Sequence, residues 1–273
     1  MIRQVILAVL VSIGIFLLAF HIEVGGMGIG SNLNALMIVL GGTLSATLIA
    51  YPWKRVLWTG QLLKKTFQPR DDGEWTIDTL VSLAKIYRQG GIRALEAQGN
   101  RLPGGLIRTA VELITYQCSR DKIEQLLQKE VQLTCNQYEM AHKILQNMAR
   151  LAPALGLCGT IVNLIRVFGH INDPQSLIGY MAIALLSTFY GVVLANLCFV
   201  PLTNKLREFM DYEEMRLNLV QEGVLDLYDQ ENPRAIQYKL DSLSTSVFRP
   251  GLTPARPKLI LVAPGEQTSL VKS

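Results

Sequence analysis

The 273-residue sequence contains little charge, and four of its stretches contain almost none. Only 18% of its residues are charged, against roughly 25% in soluble domains, whereas 49% are hydrophobic and the mean hydropathy is +0.26. The charge-poor stretches are residues 4–20, 33–51, 151–165 and 177–200. Each approaches or exceeds the roughly 20 residues that cross a bilayer core. The composition excludes a soluble enzyme, a disordered chain and a nucleic-acid binder, and it predicts four transmembrane helices.

Cysteine and histidine are scarce and lack the spacing of a metal site. The four cysteines form no C-x-x-C pair, and the three histidines form no i, i+4 pair. We therefore predict no zinc site, no disulfide framework and no cofactor. A membrane enzyme is the least favoured function, since no nucleophile and base pair lies at a suitable depth.

Basic residues are absent from two of the segments that connect the apolar stretches. Residues 22–32 and 168–176 contain no Lys or Arg, whereas residues 52–150 contain 15 and the segment after Pro201 contains nine. Because Lys and Arg in short loops are retained in the cytoplasm, both termini are expected to be cytoplasmic. No small-residue cleavage site follows the first stretch, so we predict a retained helix there and not a signal peptide.

The sequence predicts an all-α membrane protein of five parts. Residues 1–52 contain transmembrane helices 1 and 2, residues 53–149 form a cytoplasmic helical domain, and residues 150–201 contain transmembrane helices 3 and 4. Residues 202–247 keep helical periodicity with charges on the other faces, which predicts a cytoplasmic amphipathic helix. Residues 248–273 are rich in Pro, Ser, Thr and Lys, which predicts a disordered tail.

The third and fourth transmembrane helices each present one stripe of small and hydroxyl side chains. The members follow helical steps and are Pro153, Gly156, Thr160 and Asn163 in the third helix, and Ala184, Ser187, Thr188, Gly191 and Ala195 in the fourth. One interpretation is close helix packing, with each Thr bonded to its own i−4 carbonyl. The other is a partly polar path lined by Thr160, Thr188, Ser187, Gly156 and Gly191, and two stripes on consecutive antiparallel helices favour it.

No Asp, Glu, Lys or His lies centrally in any of the four stretches. Proton-coupled pumps need an ionisable group near the middle of the membrane. The chain therefore cannot carry protons alone. If it conducts, a partner must supply the carboxylate, and this chain must supply the hydroxyl-lined wall around it.

Pro153 lies at the inner end of the third transmembrane helix and lacks a backbone N–H. We expect it to bend the helix. A passive break between the membrane and cytoplasmic parts is one interpretation. We favour a hinge that moves when the nearby carboxylate changes charge.

Taken together, these residues resemble the MotA/TolQ/ExbB ion-channel family over about residues 1–245. The motifs that carry the resemblance to the family are residues 151–160 (LAPALGLCGT), Asp173 with Pro174, residues 184–196 (ALLSTFYGVVLAN) and Pro201. Further motifs resemble the MotA branch of flagellar stator subunits, and these are residues 40–47 (LGGTLSAT) before Tyr51 and Pro52, Glu213 with Glu214, residues 221–223 and residues 231–234. The resemblance implies a bacterial inner-membrane protein that contacts lipid and assembles as a homopentamer. It also implies a MotB-like, single-span, peptidoglycan-binding partner whose Asp bears the ion. That ion is H⁺ or Na⁺, and hydroxyls at both Thr160 and Thr188 are compatible with either.

The resemblance further implies a role for Arg88 and Glu96, which enclose the elbow 88–96 around Gly90 and Gly91. In the MotA branch such charges engage the rotor protein FliG. From the residues alone, a solvated face with an ion pair worth well under ~1 kcal/mol is the simpler interpretation. The alternative function is a TolQ/ExbB-like energiser of a non-flagellar envelope complex. Four membrane helices and the charged elbow favour the stator, because the TolQ/ExbB branch usually has three.

Overall fold

The computed structural model describes residues 29–68, 73–169 and 174–248, and the regular structure in these ranges is entirely helical. The helices are α1 (Ile29–Ala50), α2 (Trp53–Thr66), α3 (Glu74–Gly99), α4 (Leu106–Thr115), α5 (Arg120–Gly169), α6 (Pro174–Val193), α7 (Val200–Tyr228) and α8 (Pro233–Phe248), with a π-helical segment at Leu194–Phe199 between α6 and α7. The all-α fold is therefore confirmed for these ranges. The first predicted transmembrane helix, at residues 4–20, and residues 249–273 of the predicted tail lie outside them.

Two long antiparallel rods dominate the structure. Helix α5 has 50 residues and is about 75 Å long at 1.5 Å per residue. The second rod runs from α6 through the π-helical segment into α7. Each rod contains a stretch long and apolar enough to cross a membrane, and α1 with α2 adds a third if this bent pair is counted as one span.

Helix α1 ends where Pro52 interrupts the chain, and α2 leaves it at a bend of 115°. The buried face of α2 contains Thr59, Leu62 and Thr66. Trp58 of α2 stacks on Tyr138 of α5, with ring centroids 6.3 Å apart. Helix α2 therefore crosses the part of α5 that is predicted to be cytoplasmic, just beyond the end of α1.

The predicted cytoplasmic domain is held together by an apolar core to which α3, α4, α5, α7 and α8 contribute. Its fully buried large side chains include Leu80, Leu83, Leu95, Ile123, Leu127, Leu227, Ile236 and Leu240. Burying a Leu or Ile side chain stabilises a fold by about 1.5–3 kcal/mol. This core fixes the inner ends of both rods relative to α3, the helix that carries the predicted elbow.

Helix α3 contains the elbow that its two consecutive glycines predict. Gly91 has φ 68° and ψ −163°, a non-helical conformation within the helix. That region of backbone conformation is essentially restricted to glycine. The chain direction therefore changes between Arg88 and Glu96, while the buried Leu95 anchors the second arm in the core.

Candidate functional site

The hydroxyl groups of Thr160 and Thr188 meet between α5 and α6, in the membrane-spanning part of the rods. Thr160 Oγ1 is hydrogen-bonded to Thr188 Oγ1, and it lies 3.2 Å from the Gly156 carbonyl oxygen and 3.0 Å from the Ala184 carbonyl oxygen. A hydroxyl has one proton and two acceptor lone pairs. Four oxygens therefore share only two hydroxyl protons, and the cluster keeps unused acceptor capacity for a cation or a water molecule.

Two buried threonines on α1 differ from this half-buried pair. On α1, Thr43 Oγ1 donates to the Val39 carbonyl at 2.6 Å, and Thr47 Oγ1 donates to the Thr43 carbonyl at 2.7 Å. Both bonds stay within one helix and correspond to the packing interpretation. Thr160 also contacts its own i−4 carbonyl, but it additionally reaches two acceptors on the neighbouring helix. Simple packing therefore accounts for the α1 threonines and not for the full set of Thr160 contacts.

Gly156 and Gly191 bring the backbones of the two helices into contact beside this cluster. A Cβ atom at Gly191 would lie 2.7 Å from the Ala152 carbonyl oxygen and 3.2 Å from the Cα of Pro153. A Cβ atom at Gly156 would lie 2.8 Å from the Ser187 carbonyl oxygen. Within one chain the two glycines are spacers that permit close approach. Pro153 lies in the same contact, and its role as a hinge stays a prediction, as does a lining role for the glycines.

Ser187 lies on a different side of α6 from its neighbour Thr188. Its side chain is fully buried, and its Oγ donates to the Ile183 carbonyl at 2.9 Å. A Cβ atom at Gly159 would approach Ser187 Oγ to 3.0 Å and the side chain of Ile38 on α1 to 3.3 Å. Ser187 therefore lies where α1, α5 and α6 meet, and its place in the ion path stays a prediction.

Asn163 extends the α5 stripe one helical step beyond Thr160. Its side chain is fully buried, and its Nδ2 donates to the Gly159 carbonyl at 2.8 Å. Its Oδ1 has no hydrogen-bond partner in the described part of the chain. A buried acceptor without a partner is costly, which makes Asn163 a further candidate to contact water or an ion. The step of three residues from Thr160 is the sequence signal that points to it.

Arg88 and Glu96 are both exposed on the two arms of the α3 elbow. Neither side chain forms an ion pair with any residue that the structure describes, so the ordinary ion pair of the simpler interpretation is not formed. Glu96 also borders a small groove of about 90 Å³ with Glu112 and Tyr116, whose ring is 74% exposed. The elbow thus exposes two opposite charges that have no ion-pair partner in the described ranges, and their role in rotor binding stays a prediction.

Comparison with known proteins places this architecture in a family. The model of the MotA/TolQ/ExbB proton channel family matches residues 98–218. Motility protein A of Cereibacter sphaeroides is 30% identical over 217 residues, which cover 79% of this chain and 85% of that protein. The structure of the flagellar MotAB stator complex from Bacillus subtilis is similar with a TM-score of 0.69 and 25% identity, over 84% of this chain and 92% of that one. The structure of C. jejuni MotAB shares the fold, with a TM-score of 0.77 and 20% identity over 94% of this chain and 98% of that one. This chain belongs to the MotA/TolQ/ExbB proton channel family.

Proposed function

We propose that this chain is a MotA-like stator subunit that forms the wall of an ion channel and converts H⁺ or Na⁺ flow into torque on the flagellar rotor. The observation that carries the proposal is the cluster of four oxygens at Thr160 and Thr188, set where two membrane-spanning helices are in backbone contact. In this proposal the chain crosses the bacterial inner membrane four times, with both termini in the cytoplasm. The similarity to motility protein A supports the assignment.

The oxygen cluster can stabilise a cation but cannot release or accept a proton near neutral pH. Its members are hydroxyl and carbonyl groups, and no carboxylate is placed centrally in the described spans. A MotB-like partner with one membrane span therefore supplies the Asp that binds the ion. The wall residues then offer oxygens to Na⁺, or to a water chain that delivers protons to that Asp. Asn163 Oδ1 extends this polar surface outward along α5.

The proposed complex contains several copies of this chain around the partner's membrane helices, and the family resemblance gives five. The ion is the transported species, and no cofactor is part of the proposal. Arg88 and Glu96 transmit the motion by charge complementarity with FliG. Unpaired, exposed charges are suited to this role because such pairs steer and orient a partner more than they add affinity.

The test of the ion path replaces the hydroxyls without changing side-chain shape. Thr160→Val, Thr188→Val and the double variant are produced together with the single-span partner, and cation-dependent flux is measured in vesicles with H⁺ or Na⁺ as the driving ion. We expect the partner to co-purify and flux to fall in each variant, most strongly in the double variant. The matched control is Thr43→Val, which removes a buried hydroxyl that bonds within α1 and should leave flux unchanged. Normal flux in the double variant would overturn the proposed path.

The test of the output reverses the charges of the elbow. Arg88→Glu and Glu96→Lys should reduce swimming while flux and partner association persist, because both groups are exposed and lie outside the membrane helices. The control is Lys122→Glu, a charge reversal at an exposed position near the start of α5. If reversal at both elbow positions leaves swimming unchanged while flux depends on Thr160 and Thr188, the TolQ/ExbB-like energiser is the better assignment.

A further inference from the structure

The cytoplasmic part of α5 exposes an apolar stripe. Leu126, Leu133 and Met140 recur at steps of seven residues and are 38%, 62% and 40% exposed. Apolar residues that repeat on one face at this spacing form the seam of a contact between helices. All three precede Arg150, so they lie outside the membrane-spanning part of α5 and face water in the isolated chain. The spacing and the exposure together favour a contact of this stripe with another helix.

A cavity of about 470 Å³ opens beside this stripe, between α2 and α5. Trp58, Leu133 and Met140 contribute apolar walls, and Lys54 and Arg55 contribute two positive charges. No carboxylate is among the residues that line it, and neither cation forms an ion pair within the described ranges. The cavity therefore suits an occupant that is partly apolar and negatively charged.

A negatively charged surface lies on an adjacent face of α5, where this helix contacts α7, and Asn136 lies at the border of both surfaces. A second cavity of about 170 Å³ there is lined by Glu139, Asp211 and Glu214, with Arg207 as its basic member. Arg207 is already engaged by Glu139 at 3.4 Å and by Asp211 at 3.1 Å. Glu214 is exposed and has no ion pair among the described residues. Glu139 also lies 3.9 Å from Lys143, so the excess negative charge of this surface is the single carboxylate of Glu214.

The two surfaces lie at the same depth below the membrane. The cavity residues of α5 that lie between 133 and 144 are 6 to 17 residues before Arg150, roughly 9–25 Å at 1.5 Å per residue. Asp211 and Glu214 are 11 and 14 residues beyond the start of α7 at Val200, roughly 17–21 Å. Copies of a membrane protein that are related by rotation about the membrane normal keep their depth. Only surfaces at equal depth can meet in such an assembly, and these two satisfy that condition.

The two surfaces also point in different directions. At 3.6 residues per turn, Leu133 and Met140 on the positive side lie roughly 100–160° around α5 from Cys135 and Glu139 on the negative side. One chain therefore cannot join its own two surfaces. A positive surface that binds the negative surface of the next copy makes a head-to-tail contact. Such contacts form a ring when the rotation between successive copies closes, as a rotation about the membrane normal can.

We propose that Lys54, Arg55 and the apolar stripe of α5 form the binding surface for the α7 face of a second copy of this chain, around Asp211 and Glu214. The proposal deepens the proposed function by naming the surface through which wall subunits associate, and it rests on that function for the orientation of the rods in the membrane. An anionic lipid fits less well, because Leu133 lies roughly 25 Å below the end of the span. An acyl chain has no hydrocarbon environment at that depth.

Cysteine cross-linking in native membranes tests the contact directly. The four native cysteines are replaced by Ser, and two differently tagged copies, one with Arg55→Cys and one with Glu214→Cys, are produced with the single-span partner. Oxidation should link the two tags, and a chain that carries both substitutions should form a ladder of oligomers. The control pairs Arg55→Cys with Glu231→Cys, which follows the end of α7 at Tyr228, about 42 Å beyond Val200 at 1.5 Å per residue, and should not cross-link. Equal cross-linking of both pairs, or of neither, would overturn the proposal.

Charge exchange provides a second measurement if a cysteine variant fails to fold. Arg55→Glu should reduce the yield of oligomer several-fold, and adding Glu214→Lys should restore it. Loss of oligomer that depends on anionic lipid content, and that Glu214→Lys does not rescue, would assign the cavity to lipid and overturn the proposal. The readouts need no ion flux, so cross-linked chains without flux would contradict the stator function and leave the contact intact.

Discussion

Gly191→Ala is the most direct test of the contact between α5 and α6. Gly191 is buried opposite Gly156, and its added Cβ atom would meet backbone atoms of the other helix. Backbone cannot move aside as the end of a flexible side chain can. The substitution adds one methyl group and no charge, so its effect reports the separation of the two helices.

The loss of stability expected for Gly191→Ala follows from the distances between the added Cβ atom and its neighbours. The new Cβ would lie 2.7 Å from the Ala152 carbonyl oxygen, whereas ordinary contact begins at 3.4 Å, so the helices must separate by about 0.7 Å. Overpacking of this kind costs about 1–3 kcal/mol. The same separation would lengthen the bond from Thr160 Oγ1 to the Ala184 carbonyl from 3.0 Å to about 3.7 Å, beyond hydrogen-bond range. The oxygen cluster should therefore open even though both threonines are intact.

The assay compares Gly191→Ala with Gly179→Ala, which adds the same methyl group to the same helix where nothing lies within 4 Å. Thermal unfolding in detergent should show a lower transition temperature for Gly191→Ala only. Each kcal/mol corresponds to about 2–4 °C for a chain of this size class. Ion flux with the partner should fall in parallel. Equal stability and equal flux for the two variants would refute the argument that close backbone contact holds the oxygen cluster together.

Two further predictions concern the cytoplasmic domain. Gly91→Ala should lower the stability of the domain by about 1–3 kcal/mol, because the backbone conformation at this position is essentially restricted to glycine. It should also reduce swimming, because it redirects Glu96. Unfolding and motility measurements check the two effects, and Gly104→Ala is the control, since nothing lies within 4 Å of its added Cβ atom. Partial desolvation, with repulsion from Asp78 and Glu74, raises the pKa of the Asp241 carboxyl, so stability falls as pH rises through that raised pKa. Asp241→Asn should therefore unfold at a higher temperature than the unsubstituted chain at neutral pH and lose that advantage below about pH 4. An equal advantage at both pH values would contradict the raised pKa of Asp241 as the cause.

The spans and the elbow could be predicted from sequence because their physical causes are local. Three charge-poor stretches, 33–51, 151–165 and 177–200, fall within the described residues, and all but Tyr51 are helical in the structure, since bilayer hydrocarbon excludes charge along the whole segment. Gly90 and Gly91 marked the elbow because no side chain restricts the second glycine to helical angles. In contrast, the π-helical segment at Leu194–Phe199 was not predicted. Pro201 could have indicated it, since a proline within a long helix removes a backbone donor that the preceding turn must accommodate.

The candidate site was harder to predict, because it depends on two helices at once. The spacing of residues along a helix gives the direction of each side chain around the helix axis, to within the width of one stripe. That was enough to place Thr160 and Thr188 on facing sides. Ser187 and Thr188 share the stripe but differ by about 100° around α6, and this difference puts one hydroxyl in the packed junction with α1 and the other in the oxygen cluster. The axial register between α5 and α6 decides which carbonyl Thr160 meets, and it is set by the contact of Gly156 with Gly191. The polar chemistry of the wall therefore depends on two residues that carry no side chain.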